Sequence, residues 1–147
     1  MHPPLEAGEL ARLLLTTLRE AHLATCDAGQ PRLRPVSVAL VEGAALYIAS
    51  FRRWGKVAEI LVNPRAELSF LDPSGRHLRL TGEVWLREEP ALRRRVWETF
   101  PMMQRYFADP ADPDYALLEF CAQRVRVKDG WELEYREVPV AALQPPG

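Results

Sequence analysis

Apolar residues along this chain change their spacing several times, and each change marks a boundary. Over residues 5–22, Leu10, Leu14, Leu18 and Ala21 recur at helical spacing, with Leu13 beside the stripe and Glu9, Arg12, Arg19 and Glu20 on other faces. That predicts a helix with His22 at its C-terminal end, where a cation is favourable. Residues 22–27 then read as extended, and Asp27-Ala28-Gly29-Gln30-Pro31 carries turn chemistry. Residues 32–41 and 45–50 are the next two strands, joined at Glu42-Gly43, so a three-stranded antiparallel meander follows the helix.

Residues 56–61 form a short helix that stops before Asn63-Pro64, because proline disfavours the α conformation in the residue before it. Residues 66–71 and 77–86 are strands on either side of Asp72-Pro73-Ser74-Gly75, and the second alternates apolar and polar positions over its whole length. Helical spacing returns over residues 88–107, with Leu92, Val96, Phe100, Met103 and Phe107 on one stripe that Pro101 must kink or divide. Residues 115–127 are a strand, Lys128-Asp129-Gly130 a hairpin turn, and residues 131–136 the last strand. Hairpins dominate this order. The expected fold class is therefore mainly β, an antiparallel β-barrel with peripheral helices.

Composition narrows the function classes. A chain of 147 residues is expected to be one domain, with a core over about 10–137 and a flexible tail over 138–147. Its 48% hydrophobic and 27% charged residues are the balance of a folded protein. Nineteen basic residues against twenty acidic ones leave a net charge of -1, which argues against nucleic acid as a partner. A small oligonucleotide-binding barrel fits the arginine content but not that charge. No apolar run approaches a membrane span, and the first residues lack a basic segment followed by an apolar one, so a cytoplasmic protein is expected. Cys26 and Cys121 are far apart in sequence with no Cys-x-x-Cys and no Cys/His cluster; two reduced thiols and no metal site are expected.

Candidate chemistry is sparse. No nucleophile elbow, Walker loop, dinucleotide glycine fingerprint or zinc-protease motif occurs. Arg93-Arg94-Arg95 reads as a solvated helix face, Trp85 and Trp97 as core or dimer contacts, and Met102-Met103 as gap fillers. One cationic cluster stands out near one set of strand ends. Arg34 lies on the second strand, Ser50 ends the third, and Arg52, Arg53 and Lys56 lead into a helix. A helix N-terminus flanked by Arg, Lys and a hydroxyl can hold a phosphate group. Seventeen of the basic residues are Arg, so one of only two lysines falls in this cluster.

The segments Leu23-Ala24-Thr25, Gly29-Gln30-Pro31-Arg32-Leu33-Arg34-Pro35-Val36, Leu46-Tyr47-Ile48-Ala49-Ser50, Gly55-Lys56-Val57, Asn63-Pro64-Arg65-Ala66 and Leu78-Arg79-Leu80-Thr81-Gly82-Glu83-Val84, in that order and spacing, resemble the pyridoxamine 5'-phosphate oxidase-like, FMN-binding split-barrel superfamily. The short branch called general stress protein 26-like is the most similar. The resemblance spans residues 10–137 and implies a six-stranded antiparallel Greek-key split barrel that forms a homodimer, with FMN at the subunit interface. By position it assigns Arg34 and Lys56 to the phosphate, with Arg53 beside them. It assigns Pro35, Val36, Ser37 and Val38 to the strand along the flavin ring, and Ala49 and Ser50 to the cofactor-binding end of the third strand, with the Ser50 hydroxyl on the phosphate or ribityl chain. His77 falls where relatives often carry a ring-contacting Gln, and Trp131 matches an aromatic contributed across the dimer.

The implied function is a flavin-dependent oxidoreductase with a small-molecule substrate, in which the flavin carries the chemistry. Alternatives are a non-catalytic flavin-binding stress module or a reductase using the deazaflavin F420; haem, bound by distant relatives, is not expected. Two departures argue against pyridoxamine phosphate itself as substrate. Ala39 and Leu40 stand where true oxidases carry a basic residue, and the C-terminal Arg/His substrate motif is missing from residues 131–139.

Overall fold

The computed structural model describes residues 4–145. Its elements are α1 (Ala7–Thr17), β1 (Glu20–Asp27), β2 (Gln30–Glu42), β3 (Ala45–Phe51), α2 (Gly55–Val62), β4 (Arg65–Leu71), β5 (His77–Arg87), α3 (Pro90–Thr99), α4 (Met103–Tyr106), β6 (Tyr115–Lys128), β7 (Arg136–Val138) and a 3-10 turn over Val140–Leu143. The strands run in the order β3-β2-β1-β4-β5-β6, and β3 pairs with β6 to close a six-stranded barrel. Every pairing is antiparallel, and β7 adds to β6 along Val125–Val127. No helix among the described residues is long and apolar enough to cross a membrane.

Alternation explains the barrel interior. On β5, Leu78, Leu80 and Val84 are fully buried while Arg79, Thr81 and Glu83 between them are partly exposed. Those residues meet Leu23, Phe70, Ile48, Leu118 and Phe120 in one apolar core. The first turns of α1 add Leu10, Ala11, Leu14 and Leu15 to the same core. β6 is buried continuously from Tyr115 to Phe120 because both its faces are covered. Leu118 and Phe120 belong to the interior, whereas Tyr115 and Leu117 belong to a second cluster beneath α3 and α4, with Val96, Met103 and Phe107. A bulge in β2 between Val38 and Leu40 sets two consecutive residues, Ala39 and Leu40, against the outer cluster, while Val38 and Val41 pack on the inner one.

The structure corrects several boundaries. The first helix ends at Thr17, and His22 lies within β1, opposite Pro35 and Ser69, so it caps no helix. The Thr16 and Thr17 hydroxyls both donate to carbonyls one turn back, which favours leaving the helix there. Pro101 divides the long helical stripe into α3 and α4. Residues 131–135 are not a strand. The Asp129 and Glu132 backbones are closed on each other by a turn, with the Asp129 N–H also donating to the Glu132 carboxylate at 2.7 Å, and pairing resumes only at Arg136. The expected flexible tail is packed over its first part: Val138 and Leu143 are buried, and Arg12 donates to the Ala142 carbonyl at 2.7 Å. Its last two residues, 146 and 147, lie outside the described residues.

Arg93 also departs from expectation. It is 7% exposed, and its guanidinium donates to the carbonyls of Pro110, Asp112 and Tyr115 while lying 4.2 Å from the Tyr115 ring centroid. It pins the loop before β6 to α3. Its neighbours do face solvent, where Arg94 lies 3.7 Å from Glu98 and Arg95 forks onto Glu42 at 2.8 Å.

Gly82 sits at the irregularity in the β5–β6 register, and a Cβ there would collide with the Cys121 carbonyl oxygen. Both groups are backbone, so neither gives way cheaply. Gly82→Ala is expected to lower stability by about 1–3 kcal/mol, the range for inserting a methyl group into packed space, read as the urea midpoint.

Candidate cofactor site

Strands β2 and β3 pair only from Val38↔Ile48 to Glu42↔Ala45. Before Val38, β2 remains bonded to β1, with Ser37 opposite Glu20 and Pro35 opposite His22. After Ile48, β3 remains bonded to β6, with Ala49 opposite Leu117 and Ser50 opposite Ala116. The two strands therefore part, and a cleft of about 640 Å³ opens between them. Its floor is Pro35, Val36 and Ser37 from β2 and Ala49, Ser50 and Phe51 from β3. Its far wall is the broken helix, through Phe100, Met102, Met103, Tyr106 and Phe107. Its size is that of a small-molecule site, and most of its lining is apolar.

One end of the cleft is cationic. The chain leaves β3 through a tight turn, in which the Trp54 N–H donates to Phe51 and that of Val57 to Trp54, and then starts α2 at Gly55. No side chain caps that start, and the amides of Gly55 and Lys56 have no acceptor within the helix. The Lys56 side chain enters the cleft beside them. Lys56 is 7% exposed, its ammonium lies 4.4 Å from the Trp54 ring centroid, and it makes no hydrogen bond or salt bridge among the described residues. Burial lowers its pKa below the usual lysine value, and the nearby Arg34 guanidinium lowers it further, against a smaller opposing effect of Glu59. Ser50, 3% exposed, adds a hydroxyl that donates to the Phe51 carbonyl at 3.2 Å.

Aromatic rings gather around this end. Phe51 lies 4.8 Å from Trp54, 5.0 Å from Phe107 and 6.0 Å from Tyr106, centroid to centroid. Arg19 and Glu20 also line the cleft, where the Arg19 guanidinium lies over Phe100 and Ser37 donates to Glu20 at 2.8 Å.

The structure brings Pro35, Val36, Ser37, Ala49, Ser50 and Lys56 together along one cleft. The other expected residues lie elsewhere in this chain. Val38 is buried in the barrel core. Arg34 lies behind the cleft and donates to Glu59 at 2.7 Å, to Thr25 at 2.8 Å and to the Leu23 carbonyl at 3.1 Å. Arg53 is exposed, pairs with Asp114 at 3.2 Å and stacks over the outside of Phe51. His77 begins β5 and bridges Ser69 at 2.7 Å and Tyr135 at 2.5 Å. Trp131 is exposed in the connection before β7. The aromatic far wall was not anticipated; its signal was the set of large side chains flanking Pro101, read as one core stripe. Neither thiol is in a disulfide, and Cys121 donates to Glu119, which with burial pushes its pKa up to about 12.

A closed barrel whose β2 and β3 part at one end is a split-barrel fold. The pyridoxamine 5'-phosphate oxidase family model matches residues 9–129, so the chain belongs to that family. No curated protein matches it. Among solved structures it is similar to a Clostridium acetobutylicum protein related to general stress protein 26, at 17% identity and TM-score 0.80, covering 92% of this chain and 96% of that one. General stress protein 26 from Bacillus anthracis superposes with TM-score 0.75 at 20% identity, covering 89% and 98%. A heme binding protein from Mycobacterium smegmatis gives TM-score 0.79 at 20% identity, over 97% of this chain and 61% of that one. At these identities the likeness is one of fold.

Lys56 also has a stability consequence. Its folded pKa is below the unfolded value, so the unfolded chain binds more protons between the two, and this residue's contribution to stability rises with pH through that window. Lys56→Met is expected to stabilise the ligand-free protein at pH 7 by about 1 kcal/mol, the scale of relieving a desolvated polar group. The difference from wild type should shrink as pH approaches the unfolded lysine pKa of 10.5. Urea denaturation of both proteins at pH 7 and pH 9.5 checks this.

Proposed function

We propose that the protein is an FMN-dependent oxidoreductase with a small-molecule substrate, with the FMN phosphate at Lys56 and Ser50 and the ring in the opening between β2 and β3. The observation that carries this reading is the Lys56 ammonium, buried without an anionic partner among the described residues and set against an uncapped helix start. The donor set fits a phosphate ester: an ammonium and a hydroxyl line one end, next to an uncapped helix start. The rest fits a flat, largely apolar ring, because Val36, Ala49 and Phe107 offer apolar surface.

Bound FMN supplies hydride and electron transfer at its ring. The chain's own residues have other tasks. Lys56 and Ser50 bind the phosphate. Arg34 does not line the cleft and is paired with Glu59. The separated edges of β2 and β3 present backbone groups without a strand partner to the polar rim of a ring. Phe100, Met103 and Phe107 exclude water from one side. No Ser-His or carboxylate pair is needed, and pyridoxamine phosphate is not the proposed substrate.

A second copy of the chain is the proposed cover. Trp54, Met102 and Tyr106 line the cleft yet are 48%, 41% and 57% exposed, an apolar rim open to solvent. In a homodimer the second copy would cover that rim, and its His77 and Trp131, which lie outside the cleft of their own chain, are assigned to the ring.

Protein mixed with FMN and desalted is expected to keep a flavin absorption band. Lys56→Met should weaken FMN binding by about ten- to hundredfold, as losing a charge-assisted contact does. Steady-state reduction by NADH or NADPH separates an enzyme from a binding module. A protein that retains no flavin contradicts the reading.

A further inference from the structure

Two cations and one carboxylate meet under the first turn of α2. Lys56 and Glu59 are three residues apart and so share a face of that helix. Glu59 Oε1 accepts from Arg34 at 2.7 Å and from the Thr25 hydroxyl at 2.7 Å, and the two charged side chains are 20% and 14% exposed. Arg34 spends its remaining contacts on Thr25 and the Leu23 carbonyl. Glu59 Oε2 accepts no hydrogen bond among the described residues and lies 3.6 Å from where a Cβ on Gly55 would sit, so the carboxylate packs against the first turn of α2. A carboxylate of the protein thus already occupies the edge of the anion anchor and holds its second cation.

The charges decide what this does. Lys56 and Arg34 contribute two positive charges and Glu59 one negative charge, leaving one net positive charge for an incoming anion. A phosphate monoester carries nearly two negative charges at neutral pH. The anchor is therefore one charge short of its ligand, and Arg34 reaches that ligand only by leaving a largely buried, doubly hydrogen-bonded carboxylate.

We propose that Glu59 sets the selectivity of this anchor: by holding Arg34 in an internal ion pair, it limits how strongly the cleft prefers a phosphorylated flavin to its unphosphorylated counterpart. The choice of ligand rests on the flavin reading above, while the role of Glu59 at the anion end does not. Glu59→Gln keeps a carbonyl that accepts from Arg34 and Thr25, removes the charge, and leaves the cleft lining unchanged. Glu59 is a positioning residue, acting on the phosphate through Arg34.

The test titrates the full-length wild type, Glu59→Gln, Glu59→Ala, Lys56→Met and the double variant Arg34→Met/Glu59→Gln with FMN and with riboflavin, by flavin fluorescence. Inorganic phosphate, read by the shift in melting temperature, is the flavin-free probe. Both Glu59 variants are expected to raise the FMN-over-riboflavin affinity ratio about tenfold without moving riboflavin affinity, and to bind inorganic phosphate about tenfold more tightly. The double variant removes one charge of each sign and should return close to wild type. A ratio unchanged or lowered in both Glu59 variants overturns the proposal, as does a gain that survives in the double variant. If that happens while Lys56→Met lowers the ratio, the flavin reading stands and the role of Glu59 falls. If no form binds either flavin, the flavin reading falls and the phosphate titration decides Glu59 by the same criterion.

Discussion

Beyond the Val38–Ile48 pair, β2 keeps its hydrogen bonds to β1 and β3 keeps its own to β6, so the two strands separate while the barrel stays closed. Both strands remain paired on one side, which is why the separation is tolerated without unfolding either. Each exposes its other edge to the opening, with backbone groups that need a partner. The β2 bulge keeps both Ala39 and Leu40 on the outer face near the point of departure, and the broken helix packs on that face. The cleft is thus a consequence of barrel geometry. Its depth is set by the aromatic residues on either side of Pro101.

Within that opening the chain accepts a local cost. A lysine is buried against Trp54 with no carboxylate paired to it among the described residues, although Glu59 lies on the same helix face. Pairing Lys56 with Glu59 would relieve the desolvation. Arg34 takes that carboxylate, and Lys56 is left facing the cleft. An uncapped helix start and the Ser50 hydroxyl point the same way. The ammonium and the hydroxyl line one end of an apolar opening next to that helix start, and this combination gives the site its chemical character.

Much of this architecture was legible from residue order. Alternation over β5 and the turns at Asp27–Gln30 and Asp72–Gly75 marked the strands, and the asymmetric use of Lys pointed at Lys56. The α1–β1 junction was misplaced because Leu18 and Ala21 continue a helical stripe, while the alternation that starts at Ala21, His22 and Leu23 is equally good strand pattern. The last strand was drawn too early because residues 131–135 have strand-like composition but spend their bonds in a local turn. The family resemblance assigns Arg34 to the phosphate, and no pattern in sequence shows that Glu59 on α2 holds it. Arg93 was missed for a similar reason, since a buried arginine bonded to three carbonyls looks identical in sequence to its solvated neighbours.

A crystal structure of the protein grown with FMN tests the central claim most directly. The account predicts phosphate density within hydrogen-bond distance of Lys56 Nζ and Ser50 Oγ, with the ring between Pro35–Ser37 and Ala49–Phe51. Density that places the phosphate away from Lys56, or the ring outside the opening between β2 and β3, would contradict it.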